Sequence, residues 1–543
     1  MKFGWKRLLE SVLFLCIGAG LFAGIQAVLT PNWAGGDVTN SERTITGFDA
    51  LEENSIDVLF LGASHMGCGL SPMKLYEDYQ ICSYNLSTSG QRVSGSYFLL
   101  KNALQTQHPA VVVFDVSGLF ERADTDMNAQ WRYILDTLSP GALKWEMAEA
   151  YDKEWYSDGK WSVYFPVIKY HSRWAELTAE DFKPKASGFY YTAGMFQNAS
   201  SVGSPWPRGE VESVSLALAE NTLGTLREAE ADSVNEIYFE EPLYAPSIND
   251  SAAAWLTEIA GLCAENGAEL LLTKIPVNHY PQYYLSAWNT LRSDLVQELA
   301  GRLGSVFLDL NYEETGIDFS QDTPDLGAHL NSRGAEKISV FMGKYLLNHY
   351  SLRQEQRPDY DAALRLYQKT RTVTALQSAT DFSAYLRYLS EYGQNWTVFI
   401  AAQEEYTSGM ADSDYRQLEG LGLKLVRDGN YADAYLAVMQ DGQAAYEAVS
   451  NRPITRSMEL GDLAISLNSS GWNSVSHSSI NINGAEYSNQ TRGLNIVVYD
   501  NESGQVIDST AFDTFVAEKT AFKNVDILFY FLRNYEETVC FAQ

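Results

Sequence analysis

Cysteine is scarce in this sequence, with five in 543 residues: Cys16, Cys68, Cys82, Cys263 and Cys540. Their spacing is irregular and no CxxC pair occurs, which excludes a zinc knuckle and argues against a disulfide framework. A pairing of Cys68 with Cys82 stays open on this information. Nothing else in the sequence predicts a cofactor or a metal ion.

Basic residues are also few. The chain has 39 lysine and arginine residues against 69 aspartate and glutamate residues, a formal net charge of −30 at pH 7. A negative field of this size repels phosphates, so we expect no binding to nucleic acid. Hydrophobic residues make up 45% and charged residues 20%, which excludes a disordered or collagen-like chain. The length suggests roughly three to four domain-sized units.

Long apolar runs are absent except for one near the N-terminus. Residues 11–30 carry no charge, and Lys6 and Arg7 precede them. A run of about 20 apolar residues spans a bilayer as a helix, and leading positive charge keeps the N-terminus in the cytoplasm. A cleaved signal peptide is the main alternative, but no clear cleavage site precedes Pro31. We therefore expect residues 1–30 to be a cytoplasmic stub and a signal-anchor of the cell membrane, with the rest of the chain outside the cytoplasm.

Short apolar runs alternate with helix-like segments over much of the chain. Strands are predicted at 56–61, 81–86, 110–116, 269–274 and 305–308, and helices at 94–106, 252–266, 286–303 and 332–349, the last with Ser332 as its N-cap. Strands that alternate with helices form a parallel sheet, whose sites lie at the carboxyl ends of the strands. The predicted fold of residues 31–350 is therefore α/β.

The segment from about 118 to 250 breaks this alternation and is predicted to be an insertion or lid. It is rich in tryptophan: Trp131, Trp145, Trp155, Trp161, Trp174 and Trp206. Since flat aromatic rings suit stacking on sugar rings, we expect these side chains to cover the cleft at the carboxyl edge of the sheet. Core packing is the alternative interpretation of an aromatic-rich segment.

Three groups of residues follow predicted strands and suggest chemistry. Ser64 stands directly after the first strand, where a nucleophilic hydroxyl would be exposed and its own amide could face a developing oxyanion. Gly90 follows the second strand, five residues after Asn85 near the end of that strand, and a glycine lets a backbone N–H approach a substrate oxygen closely. Asp325 and His329 come late in the α/β region, as a base and its orienting carboxylate would.

These residues resemble the SGNH/GDSL hydrolase superfamily in type and in order. The stretches GASHMGCGLSP, SYNLSTSG and GAHLNSRGAEK are most similar to membrane-anchored SGNH-like proteins of Gram-positive bacteria, relatives of D-alanyl transfer and polysaccharide O-acetylation proteins. The resemblance implies a three-layer, flavodoxin-like parallel sheet. It also implies that Ser64 is the nucleophile, that His329 is the general base, and that the amides of Ser64 and Gly90 form part of an oxyanion hole.

Two departures from that pattern bear on activity. The superfamily usually has its aspartate three residues before the histidine, whereas Asp325 is four before His329 and Asp322 is seven before it. The usual asparagine after the third strand is missing, and Ser117 or Asp115 would have to substitute for it. His65, directly after the serine, is expected to have a structural or substrate-side role.

The C-terminal part is predicted to be a separate β-rich α+β domain at 375–543, after a polar linker at 351–374. Its segments RGLNIVVYD and VIDSTAFDT alternate as a β-hairpin does, and they resemble the interleukin-like EMT inducer fold. Segments that normally follow this hairpin precede it here, so we infer a circularly permuted copy. The resemblance implies binding of a glycan, and a structural spacer is the alternative.

The expected function is that of an extracytoplasmic SGNH-type acyltransferase or esterase that modifies cell-envelope polysaccharide through an acyl-enzyme on Ser64. The resemblance implies two partners, the envelope glycan and a membrane-bound O-acyltransferase that would supply the acyl group. The alternative is a catalytically degenerate, glycan-binding protein of envelope assembly.

Overall fold

The structure is a computed structural model. It describes residues 5–31, 39–120, 128–153, 159–182, 192–196, 247–277, 282–325, 327–440, 442–461, 463–472 and 477–523. The chain divides into two compact units, residues 1–365 and residues 366–543.

A long apolar helix opens the first unit. Helix α1 (Trp5–Leu29) contains Arg7–Leu29, the one segment of the described chain that is long and apolar enough to cross a membrane. Nearly all of its surface is exposed, as expected for a helix whose apolar side chains have no protein core to enter. The predicted N-terminal apolar helix is confirmed, and its composition suits either a membrane anchor or a signal sequence.

The remaining elements of this unit follow in chain order. They are α2 (Thr39–Asp49), β1 (Val58–Gly62), α3 (Ser64–Gly69), α4 (Pro72–Tyr79), β2 (Ser83–Ser87), α5 (Val93–Ala103), β3 (Val111–Asp115), α6 (Asn128–Leu135), α7 (Ala142–Lys153), α8 (Trp161–Tyr164), α9 (Val167–Tyr170), α10 (Asp250–Glu265), β4 (Glu269–Lys274), α11 (Gln282–Leu303), β5 (Val306–Asp309) and α12 (Ser332–His349). The described residues of this unit also form 3-10 turns at Val116–Phe120, His171–Ala175 and Ala179–Phe182.

Strands β1 to β5 form one parallel sheet in the order β2-β1-β3-β4-β5. This is the order of doubly wound, flavodoxin-like sheets. β1 and β3 are buried along their whole length, which explains why they read as continuous apolar runs. Helix α12 packs Ile338, Met342 and Leu346 into the same core as the side chains of β1. The predicted parallel sheet is confirmed, with strand ends that differ by one or two residues.

The cap of α12 differs from the prediction. Asn331 is the N-cap, because its side chain accepts a hydrogen bond from the Gly334 amide at 3.0 Å, and Ser332 is the first helical residue. The side-chain nitrogen Nδ2 of Asn331 also donates to the Gln321 carbonyl at 2.8 Å, which ties the start of the helix to the loop before it. The asparagine side chain makes the two bonds through separate atoms, an oxygen that accepts and a nitrogen that donates.

The tryptophans of the insertion do not behave as one group. Trp131 is buried and packs beside Phe98 and Tyr151, so it belongs to the core. Trp145, Trp161 and Trp174 are exposed on the surface. The expectation that all six cover the cleft is therefore wrong for Trp131, and Trp155 and Trp206 lie outside the described residues.

The first part of the stretch predicted as a linker, 351–374, packs within the first unit. Arg353 pairs with the Asp57 carboxylate and donates to the carbonyl of Ile56 at 2.8 Å. Tyr360 is fully buried and donates to the Ser83 carbonyl at 2.7 Å. Helix α13 (Pro358–Ser378) then continues past residue 365, where the two units divide.

The second unit is built on a mixed β-sheet. After α13 it contains α14 (Phe382–Tyr392), β6 (Trp396–Glu404), α15 (Asp412–Gly420), β7 (Ala434–Gln440), β8 (Gln443–Ser450), β9 (Ile454–Leu460), β10 (Leu463–Gly471), β11 (Ser479–Ile482), β12 (Ala485–Glu486), β13 (Gly493–Asp500), β14 (Gln505–Phe512) and β15 (Ala521–Lys523). β13 and β14 form the predicted antiparallel hairpin, and β13 also pairs with β6. The predicted β-rich character of this part is confirmed.

Candidate active site

Ser64 lies at the point where the order of the sheet reverses. The chain leaves β1 toward β2 on one side and later returns to β3 on the other, so the carboxyl end of β1 borders a crevice between the two connections. Ser64 is the first residue of α3 and follows that end after one residue, Ala63. In the first turn of a helix the backbone amide has no partner within the helix, so the Ser64 N–H remains available to an incoming group.

Glycines let the segment around Ser64 fit into this crevice. A side chain at Gly62 would place its Cβ 2.8 Å from the Cβ of Asp115 and 2.9 Å from that of Met66. A side chain at Gly67 would meet the ring of Phe196 at 2.7 Å. The helix that begins with Ser64 is thus held at close range between β3 and the Phe196 segment of the insertion.

Ser64, His329 and Asp325 form a continuous chain of hydrogen bonds. The Ser64 Oγ lies 2.9 Å from the His329 Nε2, and the His329 Nδ1 lies 2.6 Å from the Asp325 Oδ2. A carboxylate can only accept, so the proton on Nδ1 points to Asp325 and leaves the Nε2 lone pair for the Ser64 hydroxyl. This is the tautomer that a general base needs in order to take the serine proton.

The four-residue spacing between Asp325 and His329 is accommodated by the path of the loop. The Thr323 hydroxyl accepts from the Gly327 amide at 2.8 Å and donates to the Asp325 Oδ1 at 3.2 Å. Gly327 has φ +100°, a conformation that favours glycine. As a result Asp325 reaches both the ring and the backbone of His329, whose amide donates to Oδ1 at 2.8 Å.

These contacts also set the charge state of Asp325. Partial burial acts to raise its pKa, but the hydrogen bonds from the side chain and the backbone of His329, together with the histidine charge, outweigh burial and lower it. The carboxylate therefore stays ionised near neutral pH, as an orienting group must. Asp325 and His329 are partly exposed, at 41% and 29%, so the site opens to solvent.

Asp322, the alternative carboxylate, lies elsewhere in the loop. It is fully buried and forms salt bridges with Lys337 and Arg333 of α12. Its Oδ2 also accepts from the Asp318 amide at 2.7 Å. These contacts assign Asp322 to holding the loop against α12, and none of them involves His329.

Gly90 follows β2 at the same edge of the sheet as Ser64. In the parallel register Gly62 pairs with Ser87, so Ser64 is two residues beyond that pair on β1 and Gly90 three residues beyond it on β2. Gly90 has φ +59°, and a Cβ there would lie 2.8 Å from the Gln130 Cγ. Only glycine fits this turn, which is consistent with a backbone N–H that approaches a ligand closely.

Asn85 has a different position from the one expected for a substrate contact. It is fully buried, and its Nδ2 donates to the carbonyls of Met66 at 2.8 Å and Leu70 at 3.2 Å. Its Oδ1 accepts from the Ser87 hydroxyl at 2.7 Å. Asn85 thus ties α3 to β2 and supports the helix that carries Ser64.

Ser117 and Asp115 contact each other at the end of β3. The Ser117 hydroxyl donates to the Asp115 Oδ1 at 3.2 Å. Burial raises the pKa of Asp115 to about 6, although the hydrogen bonds from Ser117 and from the Ile275 amide act against this rise. Because the Ser117 hydroxyl points to a carboxylate, it does not provide the oxyanion donor that the missing asparagine would supply.

His65 lies against the histidine of the site. Its ring stacks on the ring of His329 with centroids 5.0 Å apart and planes 21° apart. The sequence suggested a structural or substrate-side role because adjacent residues point in different directions. The stacking and the support from Thr323 are the two features of the site that the sequence did not reveal, since both depend on how the last loop folds back over α3.

Comparisons with known proteins are limited. The family model of the interleukin-like EMT inducer matches residues 492–538, which begin at the hairpin of β13 and β14. Among solved structures, a GDSL-like lipase from Bacteroides thetaiotaomicron is similar at 13% identity, with 57% of this chain and 98% of that chain covered and a TM-score of 0.26. No curated protein matches the chain. We therefore base the function on the geometry around Ser64.

Proposed function

We propose that the first unit is an SGNH-type acyl-transfer enzyme with Ser64 as nucleophile, His329 as general base and Asp325 as the orienting carboxylate. The observation that carries the proposal is the hydrogen-bonded chain from Ser64 through His329 to Asp325, with both histidine nitrogens in the arrangement that catalysis requires. Ser64 is 265 positions from His329 in the chain, so the packing of the unit brings the hydroxyl to the histidine.

The geometry suits a two-step reaction. His329 Nε2 takes the proton of the Ser64 hydroxyl as Oγ attacks the acyl carbon, and the proton then passes to the leaving group as its bond to that carbon breaks. The amides of Ser64 and Gly90 would stabilise the oxyanion. In the second step His329 takes a proton from the acceptor, the acceptor oxygen bonds to the acyl carbon, and the bond to Ser64 Oγ breaks as the proton returns to Ser64.

The acceptor decides whether the enzyme is an esterase or a transferase. Water gives hydrolysis, whereas a sugar hydroxyl gives an acylated polysaccharide, and the acyl-enzyme is the same in both cases. If α1 is an uncleaved membrane anchor, Ser64 stays near the membrane surface, where an integral O-acyltransferase could deliver the acyl group. We favour transfer to cell-envelope glycan for this reason.

The test of this proposal is direct detection of the acyl-enzyme. The full chain is incubated with p-nitrophenyl acetate, quenched in acid and analysed by peptide mass spectrometry. We expect an acetyl group on the Ser64 peptide, and none on that peptide in Ser64→Ala. Ser71 is a matched control, because its hydroxyl caps α4 by accepting from the Lys74 amide at 3.2 Å. Ser71→Ala should still be acetylated at Ser64. Absence of acetyl-Ser64 from the wild type, together with release of p-nitrophenol no faster than in Ser64→Ala, would remove the catalytic proposal.

A second candidate function, binding of a glycan, is supported by an aromatic surface on the second unit. Trp472 follows β10 and is 49% exposed, and its ring centroid lies 6.5 Å from that of Phe515. The Arg492 guanidinium lies 4.3 Å from the centroid of the Phe515 ring and pairs with Asp513 at 2.6 Å. Flat rings next to a charged hydrogen-bonding pair are the combination that a sugar, with its apolar faces and hydroxyl rim, can use.

The backbone beneath this surface is held in a strained form. Glu404 and Ala432 have φ +62° and +65°, which residues other than glycine rarely adopt. The buried Glu405 carboxylate fixes the turn by accepting from the amides of Thr407 at 2.6 Å and Ser408 at 3.0 Å. Strain of this kind persists where the surroundings hold it, often at ligand sites.

Removal of the tryptophan ring should separate this function from the catalytic one. We expect Trp472→Ala to weaken binding of the full chain on an array of bacterial surface glycans by up to about tenfold, because an aromatic contact is worth roughly 0.5–1.5 kcal/mol beyond the area it buries and about 1.4 kcal/mol corresponds to a factor of ten. Tyr392 is a matched control, because it is 43% exposed in the same unit. Tyr392→Ala should bind normally. Equal binding by Trp472→Ala and the wild type would argue for a spacer.

A further inference from the structure

Apart from α1, exposed apolar side chains of the described residues are concentrated in a short part of the insertion. Between residues 161 and 182 they are Trp161, Phe165, Ile168, Trp174 and Phe182, which are 40–73% exposed and which we call the apolar face. Single exposed apolar residues are ordinary, but five within about twenty residues, three of them aromatic rings beyond half exposure, need an explanation.

The apolar face belongs to the segment that contacts the end of α1. The rings of Phe165 and Phe22 lie 6.3 Å apart between centroids. Arg173 donates from Nη1 to the Leu29 carbonyl at 2.7 Å, so it satisfies an acceptor that the end of the helix leaves open. Arg173 is itself held by Asp181, which joins the two 3-10 turns of the segment.

These contacts determine the depth of the apolar face if α1 crosses a membrane. A helix of 25 residues is about 37 Å long, which exceeds a hydrocarbon core of about 30 Å. Phe22 is one third of the way back from Leu29, about 10 Å below the end of the helix. That is the depth to which helices lying in the membrane interface bury their apolar side. Phe165 therefore lies near the boundary between headgroups and acyl chains.

The charge and composition of the segment suit the same position. Residues 159–182 contain three basic and three acidic residues, although the chain as a whole has a net charge of −30. A neutral segment in an acidic protein can approach anionic lipid without the repulsion that the rest of the surface experiences. Tryptophan at the outer end of a spanning helix matches the aromatic belts of membrane proteins, and tryptophan and phenylalanine both occur on the apolar sides of interfacial helices.

We propose that the apolar face is a membrane-contacting surface that lies in the outer leaflet beside α1 and holds the first unit at a defined orientation. The partner is a lipid bilayer. The contacts of Phe22 and Leu29 set where the segment meets α1, and the lipid contact of the apolar face is a second attachment that fixes which side of the unit faces the membrane. The inference rests on the membrane anchor that the proposed function includes.

The test measures tryptophan fluorescence of the full chain in phosphatidylcholine vesicles, prepared with and without bromine atoms on the acyl chains. The bromine atoms quench the fluorescence of tryptophan rings that lie at the depth of the acyl chains. Trp161→Tyr and Trp174→Tyr should each lower the quenched part of the emission. Trp472→Tyr, a matched change at an exposed ring of the second unit, should leave the quenched part unchanged.

Trp5→Tyr reports on the anchor separately, because Trp5 lies at the other end of α1. One outcome is that quenching falls in Trp5→Tyr and stays unchanged in Trp161→Tyr and Trp174→Tyr. That result would overturn the apolar face as a lipid contact and leave the anchor intact. The face would then be available to a protein partner. No loss in any of the three, with release of the chain by carbonate, would overturn the anchor and the inference together.

Discussion

Ser64→Ala and His329→Ala should each reduce acyl transfer by roughly 10⁴–10⁶-fold, and the double variant should be little worse than either single one. The two residues act as one unit, since the Ser64 hydroxyl is a weak nucleophile without a base at 2.9 Å and the base has no proton to take without the hydroxyl. The measurement is the rate of acetyl transfer from p-nitrophenyl acetate in the full chain, for the wild type and the three variants.

Folding should be unaffected by these changes. Ser64 is partly exposed at the start of a six-residue helix, and the His329 side chain is 29% exposed, so neither contributes a large part of the core. Thermal unfolding within a few degrees of the wild type would show this. Strictly additive losses in the double variant, or full activity in Ser64→Ala, would show that the hydrogen-bonded chain is not the catalytic unit.

Asp325→Asn should lower the turnover rate by about 10⁴-fold while the free energy of unfolding changes little. An amide that presents its NH₂ to His329 would force the proton onto Nε2, and the Ser64 hydroxyl would then lose its acceptor. The Oδ1 of the asparagine can still accept from the His329 amide, as the carboxylate does at 2.8 Å, so the loop keeps this support and stability changes little. The measurement is the rate of acetyl transfer together with denaturant unfolding.

Asp322→Asn is the matched control, and it should lower the stability while it leaves the turnover rate nearly unchanged. Its carboxylate is fully buried and balances Lys337 and Arg333, so its neutralisation should cost about 1–3 kcal/mol of stability. The turnover rate of the folded fraction should stay within a few-fold of the wild type, because no contact of Asp322 involves His329. A larger loss of rate in Asp322→Asn than in Asp325→Asn would reverse the two assignments.

Most of the architecture could be predicted from local patterns. The apolar runs at 58–62 and 111–115 read as buried strands because they are covered on both faces, and their alternation with helices requires a parallel sheet. β2 was also predicted as a strand, although Ser83, Asn85 and Ser87 are polar and fully buried there. The reason for their burial, a bond from Asn85 to the turn after Ser64, could not be read from the segment itself.

The candidate site could be predicted only in part. Ser64 and His329 were identified because each stands beside the end of a predicted element, where parallel sheets hold their sites. Whether Asp325 reaches the ring depended on the path of the loop, which Thr323 and Gly327 determine through a hydrogen bond and a positive φ. A count of residues between two side chains does not state the distance between them.

For the same reason the sequence did not show which tryptophans are buried, or that the first part of the predicted linker packs within the first unit. Trp131 and Trp174 stand in one tryptophan-rich segment, yet one is in the core and the other is 73% exposed. The apolar N-terminal helix, the parallel sheet and the β-rich C-terminal part can be predicted from sequence, because each depends on a pattern that repeats within one element. Which side chains meet depends on the folded chain, since Ser64 and His329 are 265 positions apart and their contact arises from packing that no single segment encodes.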